Sequence, residues 1–264
     1  MSNIGKRIRM ERFFRRDSKK TILIPMDHGI SLGQVPGLEN FPEIVNTVAK
    51  NGANGVVGHK GFVKHGFRGY GPDIGFILQL SGSTTLGPEP DKKVILATVE
   101  EAIRLGADGV STHINIGSDG ELKMLYDLGK VSAECEKWGM PLIAMVYPRG
   151  KKIMNEYDPT YLAHSVRLAS EMGADIVKIN YTGDVDSFKN VVSASDIPVI
   201  IAGGKKMESE TDLLQMVAAS IEAKGSGVAI GRNVFQSGNP GLTVRRIAAI
   251  VHDGWTVEEA MKLE

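Results

Sequence analysis

Short apolar runs separated by longer amphipathic stretches set the pattern of the chain. Eight runs follow one another: 21–28 (TILIPMDH), 55–60 (GVVGHK), 75–80 (GFILQL), 109–116 (GVSTHINI), 141–148 (PLIAMVYP), 175–182 (DIVKINYT), 198–204 (PVIIAGG) and 227–235 (GVAIGRNVF). Most are rich in Val and Ile and nearly continuous in apolar character, which predicts parallel strands buried on both faces. Between them, helical periodicity predicts helices over 41–51, 92–105, 121–138, 159–172, 185–193, 208–223 and 240–252. Gly52, Gly106, Gly139, Gly173 and Gly225 stand at or just after the ends of several of these helices. A glycine there accepts the left-handed backbone that closes a helix. A phrase of helix followed by Gly-Ala-x-x-Val recurs in NGANGVV, LGADGVS and MGADIVK, and more loosely in KGSGVAI. Its spacing is irregular, so it marks αβ units and not a solenoid. Eight strands alternating with helices predict a (β/α)8 TIM barrel over one domain, 1–264. An open doubly wound sheet is the alternative, but no early strand is followed by G-x-G-x-x-G.

Ahead of the first strand lies a basic head, 1–20, with Lys6, Arg7, Arg9, Arg12, Arg15, Arg16, Lys19 and Lys20. Ile4, Ile8 and the Phe13/Phe14 pair fall roughly on one helical face. This predicts an extra N-terminal helix that docks by its apolar face and leaves its basic face in water. Use of that face on RNA or a membrane surface is the alternative of another class.

Composition narrows the class. The 264 residues are 42% hydrophobic, too apolar for a disordered chain. Lys+Arg and Asp+Glu both total 31, which gives no support to a nucleic-acid binder working by global charge. No apolar run reaches the roughly 18 to 20 residues that span a bilayer, and the basic start lacks the apolar segment of a secretory signal. The single Cys135 excludes an internal disulfide framework and a CxxC zinc site. The expectation is a cytoplasmic globular protein with no nucleic-acid or membrane partner.

In such a barrel the chemistry sits at the carboxyl ends of the strands. Lys178, inside IVKINY, is the most informative residue there. A buried ammonium is costly unless paired or neutral, and a neutral amine adds to a carbonyl to form a Schiff base. The ordinary alternative is a salt bridge to Asp27 or Glu156. IAGGKK and AIGRNVF place Gly203, Gly204 and Gly231 beside basic residues at the ends of strands seven and eight. Bare backbone N–H groups and Arg232 there suit a phosphate. Asp27 and Tyr147 are a candidate base and acid. His28, His59 and His113 also fall near strand ends, but show no H-x-x-x-H or H-x-H spacing, so no metal is expected. Adjacent Asp27 and His28 are expected to face opposite ways.

At Met-Asp-His-Gly (26–29), Tyr-Pro-Arg-Gly (147–150), Val-Lys (177–178), Ala-Gly-Gly (202–204) and Gly-Arg-Asn (231–233), the sequence resembles the archaeal-type class I fructose-bisphosphate aldolase family. IGKRIRMERFFRR, IPMDHGIS, HKGFVKHGFRGYG and GMPLIAMVYPRGK are similar to a synthase branch of that family, which transfers a three-carbon unit. The resemblance implies Lys178 as Schiff-base lysine, Asp27 as proton acceptor and Tyr147 as proton donor. It implies a phosphorylated keto sugar held by Asp27, His28, Gly29, Ile30, Ser31, Tyr147, Pro148, Arg149, Gly203, Gly204, Gly231 and Arg232. The implied donor is 6-deoxy-5-ketofructose 1-phosphate and the implied acceptor L-aspartate semialdehyde, in an alternative route to 3-dehydroquinate and the aromatic amino acids. It further implies no metal or organic cofactor and a homo-oligomer, up to a decamer. The aldolases proper share the same catalytic trio, so a class I fructose 1,6-bisphosphate aldolase is the alternative. In that case Lys60, Lys151, Lys152 or Lys205 would hold a second phosphate, or merely sit on a solvated rim.

Overall fold

All eight apolar runs become strands in a computed structural model that describes residues 3–264. They are β1 (Thr21–Pro25), β2 (Gly55–Gly58), β3 (Gly75–Gln79), β4 (Gly109–Ile116), β5 (Leu142–Pro148), β6 (Ile176–Ile179), β7 (Val199–Ala202) and β8 (Gly227–Ala229). Each pairs in parallel with its neighbour in sequence, and β1 pairs with β8 to close the barrel. Strand alternation divides the side chains into two sets. Leu23, Val57, Ile77, Met145, Ile200 and Ala229 pack together inside the barrel. Their neighbours Ile24, Val56, Leu78, Val177, Ile201 and Val228 face the surrounding helices. The runs read as continuously apolar because both faces are buried.

The expected helices form, with shifts that have local causes. The stretch 92–105 is helical only over Val99–Arg104, because Thr98 caps the helix by accepting the backbone N–H of Glu101 at 3.1 Å. The residues before it lie in another element. Val94–Ile95 pairs antiparallel with Ser81–Gly82 as a small hairpin beyond the end of β3. The last run is also shorter than expected, and Arg232–Phe235 makes a single helical turn after β8. Gly52, Gly106, Gly139 and Gly173 take positive φ as expected. Near Gly225, however, the left-handed residue is Lys224 at φ 70.

The N-terminal helix spans Ile4–Met10, and the expected apolar docking face is met by the Phe13/Phe14 pair that follows it but not by Ile4 and Ile8. Residues 1 and 2 of the basic head lie outside the described residues. Ile4 and Ile8 are 64% and 63% exposed. The segment is also fastened by its polar side chains. Lys6 meets Glu136 at 3.0 Å and Asp175 at 3.2 Å, Arg12 meets Asp73 and Asp108 at 2.7 Å, and Arg15 meets Asp253 at 3.0 Å. Phe13 enters the core, fully buried at the amino ends of the strands, and Met10 and Phe14 pack half-buried against the same cluster. The Phe13 ring lies against Gly55, Gly75 and Gly109, the first residues of β2, β3 and β4. A Cβ on Gly75 would stand 2.8 Å from Phe13 Cε1. Those glycines open the space that Phe13 fills, and so the bottom of the barrel is closed.

Candidate active site

The opposite, carboxyl end of the barrel holds a cavity of about 330 Å³. Lys178 opens onto it from the middle of β6, only 7% exposed, beside Met145 of β5 and Ile200 of β7 in the strand register. Alternation explains the position, since Val177 and Ile179 face the helices while Ile176 and Lys178 face inward. Among the described residues, no carboxylate oxygen lies within 4.0 Å of Lys178 Nζ. Glu156, one candidate for an ordinary salt bridge, accepts instead from Arg149 Nε at 3.1 Å and Asn180 Nδ2 at 3.2 Å.

Tyr147, on β5, lines the same cavity. The Arg149 guanidinium lies 4.8 Å from its ring centroid, and the His113 ring 4.9 Å away at 53°. These contacts on the faces and edge of the phenol restrict its orientation. His113 Nε2 lies 2.8 Å from Asn115 Oδ1, and Asn115 Nδ2 donates to the Asp91 carbonyl at 2.8 Å. With Oδ1 as acceptor, Nε2 carries the proton. Burial first, then the nearby charge of Lys93, pushes the His113 imidazole down to about 3.

Asp27 and His28 both line the cavity, contrary to the expectation that they face apart. Strand alternation stops at Pro25, and His28 has helical backbone as the cap of the short helix Gly29–Leu32. Asp27 Oδ1 lies 3.8 Å from His28 Nδ1. Burial holds the His28 imidazole below its usual range, and its Nδ1 is buried without a hydrogen-bond partner among the described residues. Ile30 and Ser31 reach the wall from the same helix. Two expected contacts do not line it. Gly29 faces a neighbouring hollow, and Pro148 ends β5 off the cavity wall.

Gly203, Gly204, Gly231 and Arg232 form the rim above β7 and β8. Gly231 has to be bare, since a Cβ there would stand 2.5 Å from the Pro25 carbonyl and 2.8 Å from His28 Cε1. Arg232 Nη2 donates to Gly204 O at 2.8 Å, while its Nε is buried without a partner among the described residues. Asn233 stitches the two loops together. Its Nδ2 donates to Gly203 O at 2.8 Å and Lys205 O at 3.0 Å, and its Oδ1 accepts from Met207 N at 2.7 Å. The resulting cradle of backbone and guanidinium suits an anion.

The cavity also includes residues that strand-end reasoning overlooked. Gln79 at the end of β3 and Ser81 just beyond it form a polar wall with Ser111. Inward parity within GFILQL is the signal that could have found Gln79. Asp91 and Lys93 come from the crossover after β3, where no strand-end rule applies. The four lysines considered for a second phosphate do not line this cavity. Lys60 is engaged with Leu96 O and Glu101, Lys151 pairs with Asp119 at 2.9 Å, and Lys152 and Lys205 are exposed. Among the described residues, no cluster of three His, Cys, Asp or Glu side chains is gathered to hold a metal.

A closed parallel barrel that brings a buried lysine, a tyrosine and glycine loops to one cavity at its carboxyl end is the arrangement of an aldolase-class (β/α)8 protein. The model of the DeoC/LacD family aldolases matches residues 21–237. The chain belongs to that family. It is 41% identical to a 2-amino-3,7-dideoxy-D-threo-hept-6-ulosonate synthase of Halobacterium salinarum, over 99% of this chain and 97% of the relative. It is 36% identical to a 2-amino-4,5-dihydroxy-6-oxo-7-(phosphonooxy)heptanoate synthase of Streptomyces griseus, over 94% of this chain and 91% of the relative. A solved archaeal fructose-1,6-bisphosphate aldolase, with its catalytic lysine bound to the carbinolamine intermediate, superimposes with TM-score 0.85. That aldolase is 34% identical over 93% of this chain and 99% of its own.

Proposed function

We propose that this protein is a Schiff-base synthase of the transaldolase type. It moves a three-carbon unit from 6-deoxy-5-ketofructose 1-phosphate to L-aspartate semialdehyde and forms 2-amino-3,7-dideoxy-D-threo-hept-6-ulosonate. The observation that carries this reading is Lys178, an amine on the inner face of the barrel with no carboxylate partner among the described residues and an open cavity before it.

Lys178 adds to the donor ketone and, on loss of water, forms an iminium. The iminium draws electrons from the neighbouring carbon. Asp27 accepts the proton of the hydroxyl two carbons from the iminium carbon. The carbon–carbon bond breaks, its electron pair enters the enamine, and hydroxypyruvaldehyde phosphate leaves. The enamine carbon then attacks the aldehyde of L-aspartate semialdehyde. Tyr147, set between His113 and Arg149, protonates the new alkoxide. Water hydrolyses the iminium, releasing product and restoring the amine. The lysine supplies the electron sink, so this route uses no metal or organic cofactor.

The acceptor assigned here is supported by the products named in the two synthase relatives. Each is a seven-carbon acid with an amine on C2 and a ketone at C6. Read as an aldol, each acquires its new bond between C4 and C5, so the acceptor half is a 2-amino-4-oxobutanoate. A class I fructose 1,6-bisphosphate aldolase is the second reading, supported by the aldolase structure above. Homo-oligomeric assembly belongs to the same proposal and is supported by the exposed apolar side chains Leu122, Tyr126 and Met154. Sedimentation equilibrium reads the assembly directly.

The test is reductive trapping. Borohydride with the phosphorylated diketo sugar is expected to add the three-carbon or sugar mass to Lys178 and to no other lysine. Lys178→Arg should lower kcat by about 10³-fold or more while keeping the native melt. Unmodified Lys178, or an arginine variant that turns over normally, sinks the mechanism. Faster cleavage of fructose 1,6-bisphosphate than synthesis from aspartate semialdehyde would move the protein to the second reading.

A further inference from the structure

The wall facing the glycine loops carries charge that the proposed chemistry leaves unused. Going round the barrel, β7 and β8 stand across from β3 and β4. The Ser81–Gly82/Val94–Ile95 hairpin lies above that far side and brings Asp91 and Lys93 to the cavity. Lys178 and Tyr147, on β6 and β5, lie between the two ends.

Lys93 is built into its place. Its Nζ donates to Ser83 Oγ at 2.6 Å and to the Pro90 carbonyl at 2.8 Å, both neutral acceptors. An ammonium has three donors, so one is left for a group in the cavity. Among the described residues no carboxylate oxygen lies within 4.0 Å of it, although Asp91 and Asp27 act on it from farther off. Burial lowers its affinity for protons, which an incoming anion would restore. Asp91 is fixed from behind, since its carbonyl accepts from Asn115 Nδ2 and Asn115 in turn holds His113. The far end of the cavity therefore offers a cation with no directly paired carboxylate among the described residues and an acid two residues away. A zwitterionic amino acid presents the matching pair, a carboxylate beside an ammonium.

We propose that Lys93 and Asp91 form the acceptor subsite, Lys93 receiving the carboxylate and Asp91 the ammonium of the amino aldehyde. This rests on the amino-aldehyde reading given above and names the residues that select for it. The acceptor would lie with its charged end on the hairpin and its aldehyde toward Lys178 and Tyr147. The position of Arg149 near Lys93 reinforces the preference for an anion at this end.

Two truncated acceptors test the assignment. 3-Aminopropanal lacks the carboxylate of aspartate semialdehyde, and succinic semialdehyde lacks its ammonium. With the keto sugar donor saturating, kcat/KM is measured for all three in the wild type, Lys93→Met, Lys93→Arg and Asp91→Asn. Lys93→Met is expected to erase about 10- to 100-fold of the preference for aspartate semialdehyde over 3-aminopropanal, and Lys93→Arg to keep most of it. Asp91→Asn is expected to erase about tenfold of the preference over succinic semialdehyde. Preferences within about twofold of wild type in both Lys93→Met and Asp91→Asn overturn the proposal, since a charge-assisted bond is worth more than that. So does a loss of fructose 1,6-bisphosphate cleavage in Lys93→Met with acceptor preferences intact, which assigns Lys93 to a second phosphate. Borohydride trapping on wild-type Lys178 keeps the two readings apart. Without trapping the Schiff-base mechanism fails, whereas trapping with unchanged preferences removes only the subsite.

Discussion

Single residues in this barrel gain their character from their surroundings more than from their type. His113 is the clearest case, held neutral with its imidazole pushed down to about 3 by burial and by Lys93. An unfolded histidine takes up its proton near 6.5. Below that pH the unfolded chain binds a proton that the folded chain refuses, so stability falls as pH drops from about 6.5 toward 3. The slope from this one group approaches about 1.4 kcal/mol per pH unit. His113→Gln should remove it, so that between pH 6.5 and 5 the wild type loses about 2 kcal/mol more in urea titrations than the variant. Equal losses would show that the ring is free to protonate in the fold. Cys135, by contrast, is a buried thiol pushed up to about 12, and it should resist iodoacetamide until the protein unfolds.

At the scale of elements, strand ends were legible where alternation could be followed along an apolar run. Leu23, Lys178 and Ala202 share the inner parity of their strands, so counting in twos along the run brings Lys178 to the cavity. The hairpin of Ser81–Gly82 and Val94–Ile95 was not legible, because KKVI reads equally well as the first turn of a helix. Only its pairing with the segment after β3 makes it extended. Phe13 shows the same dependence on partners at the barrel bottom. Phe13→Ala should cost about 3 to 5 kcal/mol in urea melts, as for other fully buried aromatic side chains. Gly75→Ala should destabilise by overpacking against that ring, and Phe13→Leu should relieve part of the cost. A sum of the two single effects would show that ring and glycine do not share the space. At the other end, Gly231→Ala should raise the KM for the phosphorylated donor about tenfold or more, through its clash with Pro25 and His28.

On the scale of the whole molecule, the zero net charge hides an ordered distribution of charge. The basic head is tied by Lys6, Arg12 and Arg15 to carboxylates around the barrel bottom, while cations at the mouth line the cavity. Lys6, Arg12, Arg15 and Arg16 are paired with carboxylates, which leaves only Arg7, Arg9, Lys19 and Lys20 of the head without such a partner among the described residues, and immobilised heparin should not retain the protein at physiological salt. Retention that falls steeply with salt would instead favour the polyanion-binding alternative. The described residues contain no helix long and apolar enough to cross a membrane.

Much was settled by the order of residues alone. Repeated apolar runs buried on both faces admit few architectures, and the inward lysine of β6 and the glycines after β7 and β8 follow from that pattern. Folding in three dimensions decided the rest. It turned Asp27 and His28 to the same side, exposed Ile4 and Ile8, and carried Lys93 to the wall opposite the glycine loops. Alternation governs side chains only within a strand, whereas these outcomes depend on contacts between segments that are distant in sequence.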